Sequence, residues 1–197
     1  MSLILFTCVA AGAATFGWVS GRRARERHEQ TVAARTITSQ PAPNPFAAFP
    51  CGLKDVLART PNDEALLTGG FRLSEAGSPI AAIFLAVGAP GVSRVVVSYP
   101  GTSTDALWLS VDSDITIGTD PPGTLSVQGA VLERTRRIPV VVERFGVDLP
   151  DVDREATLAE YRGGTGQAAI ILRGPKHTLI AAGDAVTFAS LERYPGS

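Results

Sequence analysis

The feature that most constrains this chain is a charge-free apolar run over residues 3–19, followed at once by a basic cluster. The cluster consists of Arg22, Arg23, Arg25 and Arg27. At a rise of about 1.5 Å per residue the run would form a helix of roughly 26 Å, enough to cross a slightly thinned hydrocarbon layer. Trp18 lies next to the arginines, where aromatic side chains meet lipid headgroups. We therefore predict a transmembrane anchor over residues 1–20, which binds the lipid bilayer with Trp18 and the arginines at the interface.

The position of the arginines predicts the orientation of this anchor. Lys and Arg close to a membrane-spanning helix stay on the cytoplasmic side, and here they flank only its C-terminal end. The sequence thus predicts a single-pass membrane protein whose C-terminal domain faces the cytoplasm. Two alternatives stay open. One is a cleaved signal peptide, which normally carries its positive charge before the apolar region and would give a secreted domain. The other is a buried helix of a soluble protein.

Small residues recur every four positions in the anchor region, at Ala13, Gly17 and Gly21. This spacing lets two transmembrane helices approach closely, so a helix-mediated homodimer is one prediction. The abundance of Ala and Gly throughout the chain explains the same pattern without any pairing.

Composition divides the rest of the chain into three segments. Residues 21–35 form a basic juxtamembrane segment, which suits an anionic lipid surface. Residues 36–50 form a proline-rich linker, because three prolines in five positions remove backbone donors and fix extended φ angles. Residues 51–197 form a β-rich domain that is long enough to have its own core.

Short apolar and β-branched runs, separated by Gly and Pro turns, are typical of a single small β-barrel or sandwich. The predicted strands cover residues 65–73, 79–87, 92–99, 106–111, 124–131, 137–145, 168–172, 177–181 and 185–191. The first of these strands contains Gly69 and Gly70, which predict a glycine bulge. Two short helices are expected at residues 52–59 and 151–161, the second with Asp151 as its N-cap. The predicted fold class is therefore mainly β, preceded by the transmembrane helix.

Composition also excludes several kinds of site. The net charge is −1, and the domain beyond the arginines is acidic, so we expect no nucleic-acid partner. The two cysteines, Cys8 and Cys51, provide no disulfide framework, and the two histidines add too few ligands for structural zinc. We expect no cofactor, no metal and no catalytic residue. Arginine strongly outnumbers lysine, which is typical of a GC-rich bacterial genome.

The remaining candidates for chemistry each have a simpler explanation. Cys51 and His177 could act as a nucleophile and its base only if the fold brought them together, and His177 lies where a solvated loop is expected. The glycine-rich residues 163–166 follow a predicted helix instead of preceding one, which indicates a mobile hairpin and not a phosphate loop. Four aspartates near strand ends are more typical of turn chemistry than of a metal site: Asp105, Asp112, Asp114 and Asp120.

Part of the C-terminal half resembles a known family. Residues 113–130 contain a short strand, a turn with Gly123 and a hydrophobic strand that ends in Ala, and residues 177–188 place a Gly-Asp turn before a final strand. Together they resemble the β-rich GIDE-type domain of membrane-anchored proteins, some of which are ubiquitin ligases. Ligase activity in that family resides in an appended zinc-binding RING, for which this chain has no cysteine set, and we expect no second transmembrane helix. The resemblance therefore implies no catalytic residue.

These observations predict a membrane-tethered binding or assembly module that engages a protein partner of unknown identity. Confinement to a membrane raises the effective concentration of both partners, so a weak interface suffices. One alternative is a membrane-tethered enzyme with an acid–base site of Asp and Glu side chains. Another is a subunit of a larger envelope complex that covers the apolar runs at residues 79–87 and 92–97, although core strands explain these runs equally.

Overall fold

The computed structural model of the protein describes residues 44–87, 93–101, 104–112, 114–115 and 117–196. These residues belong to the compact unit Asn44–Ser197. Within them, no helix has the length and the apolar character needed to cross a membrane. The expected anchor, Trp18, the four arginines, the juxtamembrane segment and the first part of the linker lie outside the described residues and stay predictions.

The described residues form eleven β-strands and one 3-10 turn at Phe188–Ser190. The strands are β1 (Val56–Thr60), β2 (Asp63–Glu75), β3 (Ser78–Val87), β4 (Ser93–Ser98), β5 (Asp105–Val111), β6 (Thr124–Val127), β7 (Ala130–Gly146), β8 (Glu155–Arg162), β9 (Gln167–Arg173), β10 (Thr178–Thr187) and β11 (Glu192–Tyr194). The prediction of a mainly β domain is confirmed.

Eight of the strands close into an antiparallel barrel. Their order around the barrel is β2-β3-β4-β5-β10-β9-β8-β7, and β7 pairs with β2 to complete the ring. The open choice between a barrel and a sandwich is thereby decided in favour of the barrel. Three strands lie outside the ring, since β1 and β11 extend the sheet from β2 while β6 extends it from β7.

Two glycines allow the barrel to close where β2 meets β7. Gly69 pairs with Gly146, and a Cβ atom on Gly146 would collide with the carbonyl oxygen of Thr68. Gly146 also has a φ of +89°, which favours glycine. The register of β2 shifts between Leu67 and Gly69. This confirms the predicted glycine bulge, which lets β2 leave β1 and continue along β7.

Apolar side chains fill the interior of the barrel. Strand alternation sends every second residue inward, and eight strands give a barrel just wide enough for side chains to fill. All eight strands contribute buried residues, among them Phe71, Ile83, Val95, Leu107, Val140, Leu158, Ile170 and Leu179. The runs that were open to another explanation thus contribute core strands β3 and β4, in which residues 81–86 and 95–97 are buried within the domain.

A loop at residues 147–154 closes one end of the barrel with Leu149 and Val152. Asp153 fixes this loop, because its Oδ2 accepts hydrogen bonds from the backbone N–H groups of Lys176 and His177, both at 2.9 Å. These two donors stabilise the ionised carboxylate and lower the pKa of Asp153. The loop is thus anchored to the turn between β9 and β10.

Two layers cover the outside of the barrel. The first cover consists of residues 44–53 together with β1, β11 and Leu191, and it packs on β2, β3, β4 and β5. Phe46 is its centre, with ring centroids 4.8 Å from Phe84 and 5.4 Å from Phe145. Residues 44–50, which the sequence assigns to the end of the linker, are therefore packed against the domain.

The second cover is smaller. It consists of β6 with Ile115 and Ile117, and it packs on β8, β9 and β10. Leu125 and Tyr161 are buried between the cover and the barrel. The hydroxyl of Tyr161 donates a 2.8 Å hydrogen bond to Pro122 O, which ties the chain segment before β6 to the barrel.

Both predicted helices are wrong. Residues 52–59 form a turn that leads into β1, and residues 151–161 form the end of the closing loop followed by β8. Asp151 caps no helix, since its carboxylate pairs with Arg144 at 3.2 Å. Pairing with neighbouring strands outweighs the weak local helix preference here. The predicted strand at residues 124–131 is also wrong, because it is a hairpin of β6 and β7.

One stretch of β7 has no strand on one of its sides. β6 pairs with residues 130–133 and β2 with residues 141–146, so residues 135–140 lack a partner strand there in the described part of the chain. Val142 N–H donates toward the β8 side, to Arg154 O. Backbone N–H groups alternate in direction along a strand, so an N–H at position 139 would point to the open side. Pro139 has none.

Candidate functional site

A cleft of about 390 Å³ opens on the outside of the barrel, between the two covers. Its floor consists of parts of β5, β9 and β10. Arg59 and Asp63, at the junction of β1 and β2, form one wall, and the turn between β6 and β7 forms the other. The cleft is thus bounded by both covers, although the chain positions that build it are far apart.

Asp63 organises the first wall. Its Oδ1 lies 2.6 Å from Nη2 of Arg94, and its Oδ2 accepts a 3.0 Å hydrogen bond from the indole Nε1 of Trp108. Arg94 also donates to the hydroxyl of Ser110 at 2.8 Å and lies 6.0 Å from the centre of the Trp108 ring. These contacts hold an indole and a guanidinium in fixed orientations beside the cleft.

A second ion pair crosses from the first cover to the floor of the cleft. Arg59 Nη1 donates to Asp184 Oδ2 at 2.6 Å, and the two side chains are 39% and 45% exposed. An ion pair this exposed contributes only about 0–1 kcal/mol to stability. Because so little is lost when it opens, both charges are available to a partner that offers its own.

The opposite wall is a tight two-residue turn. Gln128 and Gly129 have φ angles of +48° and +82°, the left-handed pair that joins two strands in the direction of their natural twist. This turn places the amide of Gln128 at the cleft. Gln167 lies on the floor, where its Oε1 accepts a 2.6 Å hydrogen bond from Thr165.

The cleft offers recognition chemistry more than reaction chemistry. Asp63 and Asp184 are each paired with an arginine, so neither carboxylate is arranged to exchange a proton with the other. In the described ranges, no three His, Cys, Asp or Glu side chains are placed to hold a metal ion. The cleft presents two cations, two anions and two amides beside the indole of Trp108, which is itself buried, and this set suits a polypeptide surface.

The structure does not support Cys51 and His177 as a catalytic pair. Cys51 is 2% exposed in the first cover, and burial raises its pKa to about 12, which leaves an unreactive neutral thiol. His177 lies in the turn between β9 and β10, with its Nδ1 3.6 Å from Asp153 Oδ2. Among the hydrogen bonds and ion pairs of the described residues, none joins Cys51 to His177.

The aspartates near strand ends serve turns and surface pairs. Asp112 Oδ1 accepts a 2.9 Å hydrogen bond from the backbone N–H of Asp114, which confirms the predicted turn chemistry. Asp120 pairs with Arg137 at 2.6 Å, and Asp105 begins β5. Residues 163–166 form the turn between β8 and β9, which confirms the predicted hairpin.

Glu160 is a buried carboxylate that no sequence motif singles out. Its Oε2 accepts a 3.1 Å hydrogen bond from the hydroxyl of Tyr99, and its Oε1 lies 3.6 Å from Arg136. Burial and the nearby Glu160 charge raise the pKa of Tyr99 above its usual range. This group lies apart from the lining of the cleft.

The chain matches no protein-family model, no curated protein and no solved structure. The cleft is therefore interpreted from its own geometry. Sequence reasoning missed Arg59, Arg94 and Trp108. Arg94 and Trp108 each interrupt an otherwise apolar strand, which is a usable signal. No sequence signal joins Arg59 to Asp184, 125 positions apart.

Proposed function

We propose that this protein is a membrane-tethered binding module whose barrel domain faces the cytoplasm and engages a protein partner through the cleft between its two covers. The observation that carries this proposal is the charged cleft itself, with its exposed Arg59–Asp184 pair beside the fixed Trp108 indole. Arginine is among the residues that most often dominate the energy of protein interfaces, and the buried indole of Trp108 helps to fix Arg94 beside the cleft.

The packed interior supports the same proposal. Side chains from all eight strands fill the barrel, so the barrel acts as a rigid scaffold and recognition falls to its outer surface and turns. The cleft walls are turns and strand ends held by this scaffold. A rigid site of this kind spends little conformational entropy on binding.

The support for a membrane tether comes from the N-terminal sequence. The apolar run and the four arginines support a single span with the domain in the cytoplasm. The resemblance to GIDE-type domains supports the same arrangement of anchor and β-rich domain. Confinement at a membrane would let a cleft of this modest size act on a partner confined to the same surface.

Site-specific photo-crosslinking of the full-length chain in cells tests the cleft. A photoreactive amino acid at Gln167, on the cleft floor, should crosslink a defined protein. The same amino acid at Glu75, on the strand across the barrel from β10, is the matched control and should not crosslink that protein. Equal crosslinking from both positions would show that the cleft is not the contact.

A charge swap tests whether the Arg59–Asp184 pair binds the partner or only holds the first cover on the barrel. Arg59→Asp combined with Asp184→Arg keeps an ion pair between β1 and β10 but reverses the charges that a partner meets. We expect unchanged thermal stability and loss of the Gln167 crosslink. Retention of the crosslink would mean that the pair only anchors the cover.

Thiol labelling of intact cells tests the orientation. Cys51 is unsuitable because it is buried, so the label belongs on Val147→Cys, which replaces a side chain that is 62% exposed. With Cys8→Ala to remove the cysteine of the predicted anchor, a membrane-impermeant reagent should label position 147 only after lysis. Labelling of intact cells would place the domain outside the cytoplasm, and a shortened mass would show a cleaved signal peptide.

A further inference from the structure

β6 has a free edge in the described structure. It is the last strand of the sheet and pairs only with β7. Gly123 O accepts a hydrogen bond from Arg134 N–H of β7 at 2.9 Å, and hydrogen-bonding residues alternate along an antiparallel pair. Thr124 and Ser126 therefore direct their backbone N–H and C=O groups away from β7. Both residues are exposed.

A groove runs along this free edge. Its volume is about 590 Å³, and it lies between β6 and the segment that follows β5. Ile115 and Ile117 line it together with Leu125, so its wall is apolar beside the backbone groups of β6. An extended chain placed here would meet backbone donors and acceptors on one side and an apolar surface for every second side chain.

The groove is continuous with the proposed binding cleft. Val127 and Gln128 line both of them. A polypeptide that extends along β6 from Thr124 to Val127 therefore arrives at the cleft wall formed by the β6–β7 turn. The free edge and the cleft can contact one partner segment.

Charge selects the occupant of the groove. Asp112 lines it, and none of the ion pairs among the described residues involves Asp112, whose Oδ1 accepts only the backbone N–H of Asp114. A basic side chain would complement this carboxylate. A second copy of the chain would bring Thr124–Val127 as its own edge, which offers Asp112 no cation.

We propose that the free edge of β6 binds an extended segment of the partner protein as an added β-strand, with a basic side chain of that segment against Asp112. This inference rests on the proposed function, since it names how the partner of the cleft is held. Backbone bonds to Thr124 and Ser126 supply the affinity, and the apolar wall and Asp112 supply the selectivity.

Selection from a displayed library of random dodecapeptides against the full-length chain in detergent micelles tests this proposal. We expect the enriched peptides to alternate apolar and other residues and to share a Lys or Arg. Ser126→Pro removes the outward N–H, whereas Ser126→Ala removes only the hydroxyl and is the matched control. The proline variant should bind the peptides at least tenfold more weakly, and the alanine variant should bind like the original chain.

Amide hydrogen exchange gives an internal control within β6. Peptide binding should slow exchange at Thr124 and Ser126, whose N–H groups are outward, and leave Leu125 and Val127 unchanged because they already bond to β7. Thermal unfolding confirms that Ser126→Pro is folded. Asp112→Asn should weaken binding of the basic peptides several-fold.

The outcomes separate this inference from the proposed function. Peptide binding that survives Ser126→Pro but fails with the Arg59–Asp184 charge swap would overturn strand addition and leave the cleft intact. Enriched peptides without a shared basic residue would overturn the role of Asp112. A concentration-dependent dimer that Ser126→Pro abolishes would identify the occupant as a second copy and overturn the proposal. Absence of any bound peptide would also overturn it, whereas absence of a Gln167 crosslink contradicts the proposed function.

Discussion

The two covers both pack on the outer face of the barrel, but different interactions hold them there. The first cover brings an aromatic cluster around Phe46, a buried carboxylate at Asp55 and strands paired on β2. The second cover is one four-residue strand and two half-buried isoleucines. Both shield the outer face of a barrel whose interior is already full, so neither is needed to complete the interior.

The difference indicates a division of roles. Asp55 accepts hydrogen bonds from Gly52, Gly196 and Arg193, which join residues up to 141 positions apart. Among the described residues, the segment before β6 is tied to the barrel by Tyr161 to Pro122 O, by Arg134 to Pro121 O and by the exposed Arg137–Asp120 pair, without a buried carboxylate. A cover held at many points suits stability, whereas a cover with a free edge suits a surface that accepts a partner strand.

The largest expected effect is the loss of the Phe46 ring. Phe46→Ala should lower the free energy of unfolding by about 3–5 kcal/mol, because it leaves a cavity among packed aromatic rings. Ile117→Ala in the second cover should cost only about 1 kcal/mol, since that side chain is half-buried. Denaturant unfolding of both variants measures the two values. Equal losses would remove the distinction between the covers.

The next effect is at Asp55. Asp55→Ala should cost about 2–3 kcal/mol, because hydrogen bonds to a charged group are lost and their donors stay near the protein interior. Asp120→Ala is the control in the second cover, where the exposed pair with Arg137 is worth about 0–1 kcal/mol. Faster amide exchange at Glu192–Tyr194 should accompany only the first variant. Unchanged exchange there would show that Asp55 does not hold β11.

A smaller effect is expected at Tyr161. Tyr161→Phe should cost about 1 kcal/mol, the net value of one hydrogen bond. Burial raises the pKa of Tyr161, so its contribution is complete below the unfolded pKa of about 10 and is lost as pH rises through the folded pKa. The difference in stability between the original chain and the variant should therefore shrink above pH 10. A difference that grows with pH would contradict this sign.

The smallest effect on stability is expected at the cleft. Arg59→Ala should change the free energy of unfolding by about 0–1 kcal/mol, because its ion pair is exposed. The same change should strongly reduce the Gln167 crosslink to the partner. A large loss of stability without any loss of crosslinking would assign Arg59 to the first cover alone.

The sequence predicted the barrel well where local pattern and final structure agree. The β-branched and apolar runs at β3, β4 and β5 are buried strands, and the glycine bulge at Gly69 lies where the chain changes its pairing partner. The sequence-based prediction failed where a side chain bonds to a residue that is distant in the sequence or on another strand. Asp151, the predicted N-cap, bonds to Arg144, and Asp55, inside the other predicted helix, bonds to Arg193.

The candidate site was less predictable than the fold. Gln128 is not a residue that the left-handed turn positions favour, so residues 124–131 look like one strand in the sequence. The turn that forms the cleft wall is therefore not predicted. The ion pair of Arg59 depends on strand order around the barrel, which periodicity does not encode. Arg94 and Trp108 are the two cleft residues with a usable signal, since each interrupts a short apolar strand.

The open side of β7 has a consequence for how this protein behaves at high concentration. β2 and β6 pair with different ends of β7, and the unpaired stretch between them would be a ready template for fibril growth. Pro139 has no backbone N–H to donate to a strand added at this edge. At high concentration, the open side of β7 therefore resists pairing with a strand of another copy. The edge of β6 stays available to a partner strand.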